Sequence, residues 1–407
     1  MGLLQKAIET YDANADLVSV YSEGHDPLAP ISHIVAKAHL EITLNAQGCF
    51  IGACTVNESE QNTIIPVTEK SGGRTSGLAA HPLCDQIKYV TSIDKAAHEL
   101  YFKELCNWEE SAYTHPILTA VRAYVAKGTI LNDLINAGII SQSGKPDGKT
   151  LKLMIRWRVN GCGSEEPACW KNKRLFALYQ DYYLSLISMR DHIFSMISGK
   201  EDSTVLQHPS GIIPIPYKAK LISFNSDDFA YRGRFTEERQ AATVGYAASQ
   251  KAHNALRWLR SNQSVREFSG NRIFLCWNPQ GKEVPRIMRP MRREDAEAVR
   301  MPDNYRQQLM STMLSFRKDH QLSAADQAVI ASFDAATTGR LAVTYYNEIS
   351  LETFLERMVD WDAHCCWYAG KYGIQAPDLF QIVECAFGTP RGSSLAIDDR
   401  IQRHHLQ

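Results

Sequence analysis

The stretch Leu151–Val159 reads LKLMIRWRV. Successive side chains of a strand point to opposite faces. One parity therefore carries Leu151, Leu153, Ile155, Trp157 and Val159, and the other Lys152, Met154, Arg156 and Arg158. The pattern predicts a strand with one face in a core and a basic stripe on the other. Immediately upstream, SQSGKPDGK (Ser141–Lys149) is a turn-rich break. Its Pro146-Asp147-Gly148 combines a preset φ, a side-chain cap and a positive-φ residue, which reads as a hairpin turn. Gly144–Thr150 has one residue too few for a phosphate-binding loop and leads into a strand rather than a helix.

Farther upstream, His33–Val56 has strand character on both sides of the turn signal Asn45–Gly48. EKSGGRTSG (Glu69–Gly77) reads as a loop. Ile93–Trp108 turns helical, with Ala97, Tyr101, Leu105 and Trp108 on one face. A second helical stretch covers Pro116–Ala137. Downstream, helices are predicted over Trp170–Ile197, Glu237–Ser261 and Tyr305–Phe316, and strands over Leu221–Asn225, Ile273–Trp277 and Leu341–Ile349. A last helix places Leu351, Phe354, Leu355, Met358, Val359, Asp362 and Cys366 near one face. The fold class is α+β. A mixed N-terminal domain is expected over residues 1–148, a central α+β region with the basic strand over 149–335, and the start of a mainly helical region over 336–407.

The chain has 407 residues, 44% of them apolar and 22% charged, with a net charge of −1. That is the composition of an ordinary globular protein, and its global charge draws no polyanion; local patches must do so. The ten cysteines are scattered. Cys162 and Cys169 lack the two further ligands of a structural zinc site, so free buried thiols and no metal are expected. No apolar run reaches the ~18 residues of a membrane span. MGLLQKAIETYDANAD reads as a short amphipathic helix rather than a leader, and Lys6 stands where myristoylation needs Ser or Thr. A reducing cytoplasm follows. Gly-x-Ser-x-Gly and His-Glu-x-x-His are both absent, and no catalytic residue is assigned.

The basic features remain. Between Lys149 and Arg174 lie seven Lys or Arg (Lys149, Lys152, Arg156, Arg158, Lys171, Lys173 and Arg174) against Glu165 and Glu166. The stripe has no acid on its own parity, which favours polyanion contact as much as a solvated face. Arg286, Arg289, Arg292 and Arg293 are followed by Glu294, Asp295 and Glu297, which could pair with them on a helix. In Lys70–Gly77, small residues let a backbone approach phosphate or a groove floor, and Arg74 carries a planar fork of donors. A plain surface loop is the alternative.

In order, these pieces resemble the large subunit of the type I-C CRISPR surveillance complex (subtype-C Cascade). GRTSGLAAHPLCDQIKYV (Gly73–Val90) is similar to that family's Arg-Thr/Ser-Gly-Ile-Ala-Pro-x-x-Leu-x-Asp-Asn-x-x-Tyr segment. The likeness continues through MIRWRV (Met154–Val159), ISGK and QHPSG within Ile197–Gly211, and KLISFNSDDFAYRG (Lys220–Gly233). It runs on through ATVGYAASQKAHNALRWL, NRIFLCWNP and GRLAVTYYNEIS to Trp361. Ser195 stands where the family has a cysteine, so a metal role there is not expected. IIPIPYKAK replaces a glycine-rich run. The family is also longer, and a C-terminal helical region is expected to be missing after Gln407.

The resemblance implies a non-enzymatic DNA-recognition subunit without cofactors. Guide RNA reads sequence by pairing, while the large subunit checks a flanking motif, helps separate strands, holds the displaced strand and docks a helicase-nuclease. Its partners would be double-stranded target DNA, the displaced single strand, guide RNA through the complex, the other surveillance-complex subunits and the helicase-nuclease, with no membrane. Lys70, Ser71, Gly72, Gly73, Arg74, Thr75 and Ser76 are the candidate DNA contacts. Lys152, Arg156, Arg158, Lys171, Lys173, Arg174, Arg286 and Arg289 are candidates for the displaced strand or backbone. Two rivals stand beside this reading: a nuclease, for which Asp227-Asp228 is the nearest acidic pair, and a scaffold whose basic patches bind only other subunits.

Overall fold

The computed structural model describes residues 2–74, 77–141, 146–213, 219–223, 242–262, 264–268, 272–285, 302–337, 339–368 and 373–377. The chain divides into two compact units. One comprises Ala15–Gly211 and Ile222–Trp258; the other Met1–Asn14, Ile212–Leu221 and Leu259–Gln407. Among the described residues no helix is long and apolar enough to cross a membrane.

Helix α1 (Leu3–Ala13) opens the chain, as its amphipathic pattern predicts. The unit that follows begins with β1 (His33–Lys37), β2 (Leu40–Asn45), β3 (Phe50–Thr55) and β4 (Asn62–Pro66). β1 pairs antiparallel with β4, and β2 with β3 across the predicted Asn45–Gly48 turn. Gly48 is required there twice over. Its φ is +67°, and an added Cβ would lie 2.4 Å from the Ala120 carbonyl oxygen. On its other edge β2 pairs in parallel with β5 (Ile155–Asn160), giving the order β3-β2-β5.

Five helices connect these strands: α2 (Glu69–Gly72), α3 (Ile87–Val90), α4 (Lys95–Glu109), α5 (Pro116–Val125) and α6 (Ile130–Asn136). In α4 the predicted face of Ala97, Tyr101, Leu105 and Trp108 is buried, and the Asp94 carboxylate caps the helix by accepting from the Ala97 amide. The single helix predicted over Pro116–Ala137 is two. Lys127 lies in the break, where its Nζ donates to the Gly48 carbonyl at 2.7 Å.

The decisive strand is shorter than its sequence pattern. The Pro146–Gly148 turn opens a 3-10 turn over Thr150–Lys152 rather than a hairpin, and β5 starts only at Ile155. Ile155, Trp157 and Val159 are fully buried, as the alternation requires. The other parity is not an open basic stripe. Arg156 is only 4% exposed, and the register places Glu41 of β2 opposite it. Glu41 Oε2 accepts from Arg156 Nε at 3.0 Å and Nη2 at 2.8 Å, while Oε1 accepts from Arg158 Nε at 2.6 Å. Trp170 covers Arg156, with its ring 3.7 Å from the guanidinium carbon. The neutralising acid comes from another strand, 115 residues earlier in the chain.

Helix α7 (Lys173–Ile187) ends at Ile187 rather than Ile197, and β6 (His192–Phe194) then pairs antiparallel with β7 (Glu201–Ser203). Helix α8 (Tyr246–Asn262) begins after Gly245 and not at Glu237; Glu237 itself lies outside the described residues. Its buried face is partly polar. Asn254 Nδ2 donates to the carbonyls of Ala29, Pro30 and His33, and the His208 Nδ1 and Ser249 Oγ atoms are 2.8 Å apart. Leu221–Ser223 is not a strand, and the rest of that predicted element lies outside the described residues.

In the other unit, β8 (Ser264–Phe268), β9 (Arg272–Trp277), β10 (Gln327–Thr337) and β11 (Arg340–Ser350) form an antiparallel sheet in the order β11-β10-β9-β8. The Trp277 indole donates to the Thr10 hydroxyl of α1 at 3.0 Å. Helices α9 (Pro302–Asp319) and α10 (Leu351–His364) complete this unit's core. Leu351, Phe354, Leu355, Val359 and Asp362 form the buried face of α10, as the periodicity predicts. The architecture is mixed α+β.

Two outcomes test this account. Removing one member of a buried ion pair strands the other, so Glu41→Ala is expected to lower unfolding free energy by about 3–5 kcal/mol in denaturant titration. Burial also holds His33 at a pKa of about 4 and His253 at about 3, below the ordinary 6.5. These groups stay neutral when folded and take protons when unfolded. Their contribution to stability is therefore present above pH 6.5 and lost as pH falls toward 4. The expected slope between them is about 2.7 kcal/mol per pH unit, and His253→Gln should halve it.

Candidate nucleic-acid interface

The predicted loop Glu69–Gly77 begins with a helical turn. Thr68 caps it: its Oγ1 accepts from the Ser71 amide at 3.1 Å, and Ser71 Oγ accepts from the Thr68 amide at 3.0 Å. The Glu69 amide donates to Tyr183 Oη at 2.9 Å. The Glu69 carboxylate is buried, accepting from Arg190 Nη1 at 2.6 Å and from the Leu206 amide at 3.0 Å. Ser71 Oγ also lies 2.9 Å from His81 Nδ1. The first half of the glycine-rich stretch is thus pinned from α7 and from the segment after β7.

Its second half is pinned by Arg74. The guanidinium forks onto Asp85, Nη1 to Oδ2 at 2.9 Å and Nη2 to Oδ1 at 2.5 Å, and Nη1 also donates to the Ala79 carbonyl at 2.7 Å. The Tyr89 ring lies 4.4 Å from the guanidinium carbon. Asp85 is fully buried and accepts further from the amides of His81 and Gln86, each at 2.7 Å. Burial pushes the Asp85 carboxyl up from its ordinary value, while the Arg74 fork and the two amides pull it back. Asp85 is held in turn by β5: the Ile155 amide donates to the Asp85 carbonyl and the Ile87 amide to the Leu153 carbonyl, both at 2.9 Å.

Arg74, expected as a DNA contact, is therefore engaged as an internal clamp. Lys70 is exposed between the two pinned ends, and Gly77 and Leu78 are exposed beyond Arg74. Gly77 has φ +83°, a left-handed conformation that disfavours any side chain there. Ser71 and Gly73 are buried and Gly72 is half-buried; Thr75 and Ser76 lie outside the described residues.

The other candidates divide. Arg156 and Arg158 share Glu41, and Arg174 pairs with Glu165 at 2.6 Å. Lys152 and Lys173 are exposed, and exposed Lys171 places its ammonium 5.8 Å from the Tyr21 ring centroid. Arg286, Arg289, Arg292, Arg293, Asp227 and Asp228 lie outside the described residues. Among the described residues no group of three or more His, Cys, Asp or Glu could hold a metal ion. Cys169 faces Cys84, Sγ to Sγ 3.5 Å, rather than Cys162, and burial pushes the Cys84 thiol well up. Cys49 and Cys54 are exposed rather than buried as expected.

The sequence pointed to Arg74 but not to Asp85 and Tyr89, which hold it, nor to Glu69, His81 and Arg190, which pin the rest of the stretch. Asp85 and Tyr89 stood in the same quoted segment, but nothing in spacing alone joins an arginine to an acid eleven positions later. The clamp makes a thermodynamic prediction. In a double-mutant cycle on Arg74→Ala and Asp85→Ala, denaturant unfolding should give a coupling of about 2–3 kcal/mol.

A family model described as CRISPR-associated protein (Cas_Csd1) matches residues 9–405. No curated protein matches the chain.

Proposed function

Because this chain belongs to the CRISPR-associated Cas_Csd1 family, we propose that it is the large, non-catalytic subunit of an RNA-guided surveillance complex and checks the motif flanking the target. The observation that carries the reading is the double clamp. Buried Glu69–Arg190 and Arg74–Asp85 pairs fix both ends of a glycine-rich stretch and leave Lys70 and Gly77 facing solvent. A pre-ordered backbone binds without the cost of ordering it first. A short fixed element of this kind suits a contact repeated at every target, while base pairing supplies the variable sequence reading. Lys70 serves as a phosphate contact that positions the duplex, and exposed Gly77 and Leu78 face the flank.

The same reading gives the exposed Lys152, Lys171 and Lys173 to the backbone of the displaced strand. Arg156 and Arg158 hold the buried Glu41 carboxylate and act structurally, and Arg174 is paired with Glu165 at the surface. That arrangement is the one feature favouring the scaffold alternative. Docking of a helicase-nuclease belongs to the proposal as well. Metal-dependent cleavage by the purified chain would turn it toward the nuclease reading.

The test is duplex-target binding by the reconstituted guide-loaded complex, at two salt concentrations, on targets with a correct or a scrambled flank. Arg74→Ala and Asp85→Asn are expected to weaken the correct target alike, by about tenfold or more, and to lose discrimination. Lys70→Ala should weaken both targets evenly and flatten the salt slope by about one. Unchanged discrimination in Arg74→Ala and Asp85→Asn would move the reader elsewhere.

A further inference from the structure

We infer that Cys84 and Cys169 are a latent cystine: hydrogen peroxide joins them into an intramolecular disulfide that ties the segment carrying Asp85 to the segment entering α7. The two thiols stand 85 positions apart in the chain and meet inside the core, one donating to the other with the sulfurs 3.5 Å apart. Both residues are buried. A single buried cysteine is ordinary core filling. Two whose sulfurs touch are placed for a bond.

The backbone is fixed on both sides of the contact. Leu83, just before Cys84, accepts at its carbonyl from the Trp157 indole at 2.9 Å and from the Tyr101 hydroxyl at 2.7 Å. Asp85, just after it, accepts at its carbonyl from the Ile155 amide at 2.9 Å. On the other side the Cys169 amide donates to the Trp157 carbonyl at 3.1 Å, and Ala168 forms a bridge with Arg158. Strand β5 thus holds both cysteines, and neither sulfur leaves the other without disturbing it. Two reactants held in contact react in a unimolecular step rather than by encounter. A disulfide brings its sulfurs to about 2.05 Å. That approach falls to the two side chains, because both backbones are held.

The step balances with peroxide as the oxidant. One sulfur takes a hydroxyl from hydrogen peroxide, the O–O bond breaks, and the thiol proton leaves with the other hydroxyl as water. The resulting sulfenic acid has the second thiol beside it. The second sulfur attacks the first, the S–O bond breaks, and a second water carries off that hydroxyl and the second thiol proton. Two thiols are oxidised to one disulfide, and one peroxide is reduced to two waters. Burial governs the rate in both directions. It pushes the Cys84 thiol up, away from the reactive thiolate, so the bond forms slowly. It also keeps bulky thiols from the finished bond. In a reducing compartment the pair rests as thiols. Asp85 forks onto Arg74, so the bond also braces that clamp; this consequence rests on the flank-reading proposal, and the cystine itself does not.

The experiment treats the folded full chain with hydrogen peroxide, unfolds it, alkylates the remaining thiols with iodoacetamide and maps non-reduced tryptic peptides by mass spectrometry. The expected result is a linked pair joining Cys84 to Cys169, lost on treatment with dithiothreitol. Fragmentation assigns the link to Cys169 rather than Cys162, which shares its tryptic peptide. The melting midpoint of the oxidised chain should rise by about 5 °C or more, because the bond closes a long loop in the unfolded chain. Cys84→Ser and Cys169→Ser should each abolish the linked pair and the shift. The wild-type map decides without either variant. Cys84 and Cys169 both recovered alkylated or as sulfinic acid would overturn the inference. So would a link from either to Cys49, Cys54 or Cys162 in its place, or a link present only in covalent dimers. Detection of the linked pair alongside failure of the Arg74 and Asp85 test would leave this inference standing and remove the other.

Discussion

One carboxylate, Glu41, decides where β5 lies. Arg156 and Arg158 stand on one strand, and the parallel neighbour must supply a negative charge within reach of both. The β2–β5 register meets that need by setting Glu41 opposite Arg156 and Thr43 opposite Arg158. A guanidinium as buried as Arg156 is tolerable only when its donors are occupied, and Glu41, the Glu60 carbonyl and the Trp170 face occupy its surroundings. A slip of one residue would break this constellation and turn Trp157 out of the core.

The consequences run from β5 to the candidate site. The Ile155 amide, which donates to the Asp85 carbonyl, and the Leu153 carbonyl, which accepts from the Ile87 amide, hold the segment around Asp85. Asp85 holds Arg74, and Arg74 closes the end of the glycine-rich stretch whose beginning Glu69 secures. Two arginine–carboxylate pairs thereby turn a sequence of low conformational preference into a defined surface. Flexible residues are not the same as a flexible site; here their freedom is removed by charges placed beneath them. The Glu69 pair serves twice, because the base of the β6–β7 hairpin is tied to the same carboxylate.

Much of the fold was legible in periodicity. The buried faces of α4 and α10, the β2–β3 turn and the core parity of β5 follow from local pattern, since they are set by which side chains leave water. Element ends were less legible. α7 stops at Ile187 and α8 starts at Tyr246 because nearby hydrogen bonds to Glu69, Asp191 and Asp202 compete with helix continuation. The break between α5 and α6 contains a lysine bound to a glycine carbonyl far away in the chain.

The sequence by itself determined an α+β protein and the family it belongs to, through hydrophobic alternation, helical spacing and ordered motifs. Only the tertiary structure decided what the charges do. An arginine with no acid on its own strand looks available for a phosphate, yet Glu41 reaches Arg156 from another strand. Arg74 looks outward in a loop, yet it faces Asp85. Apolar burial repeats with the local period of a helix or strand and can be read along the chain. Electrostatic pairing depends on distance in space, and in Glu41–Arg156 and Glu69–Arg190 it joins residues that only folding brings together.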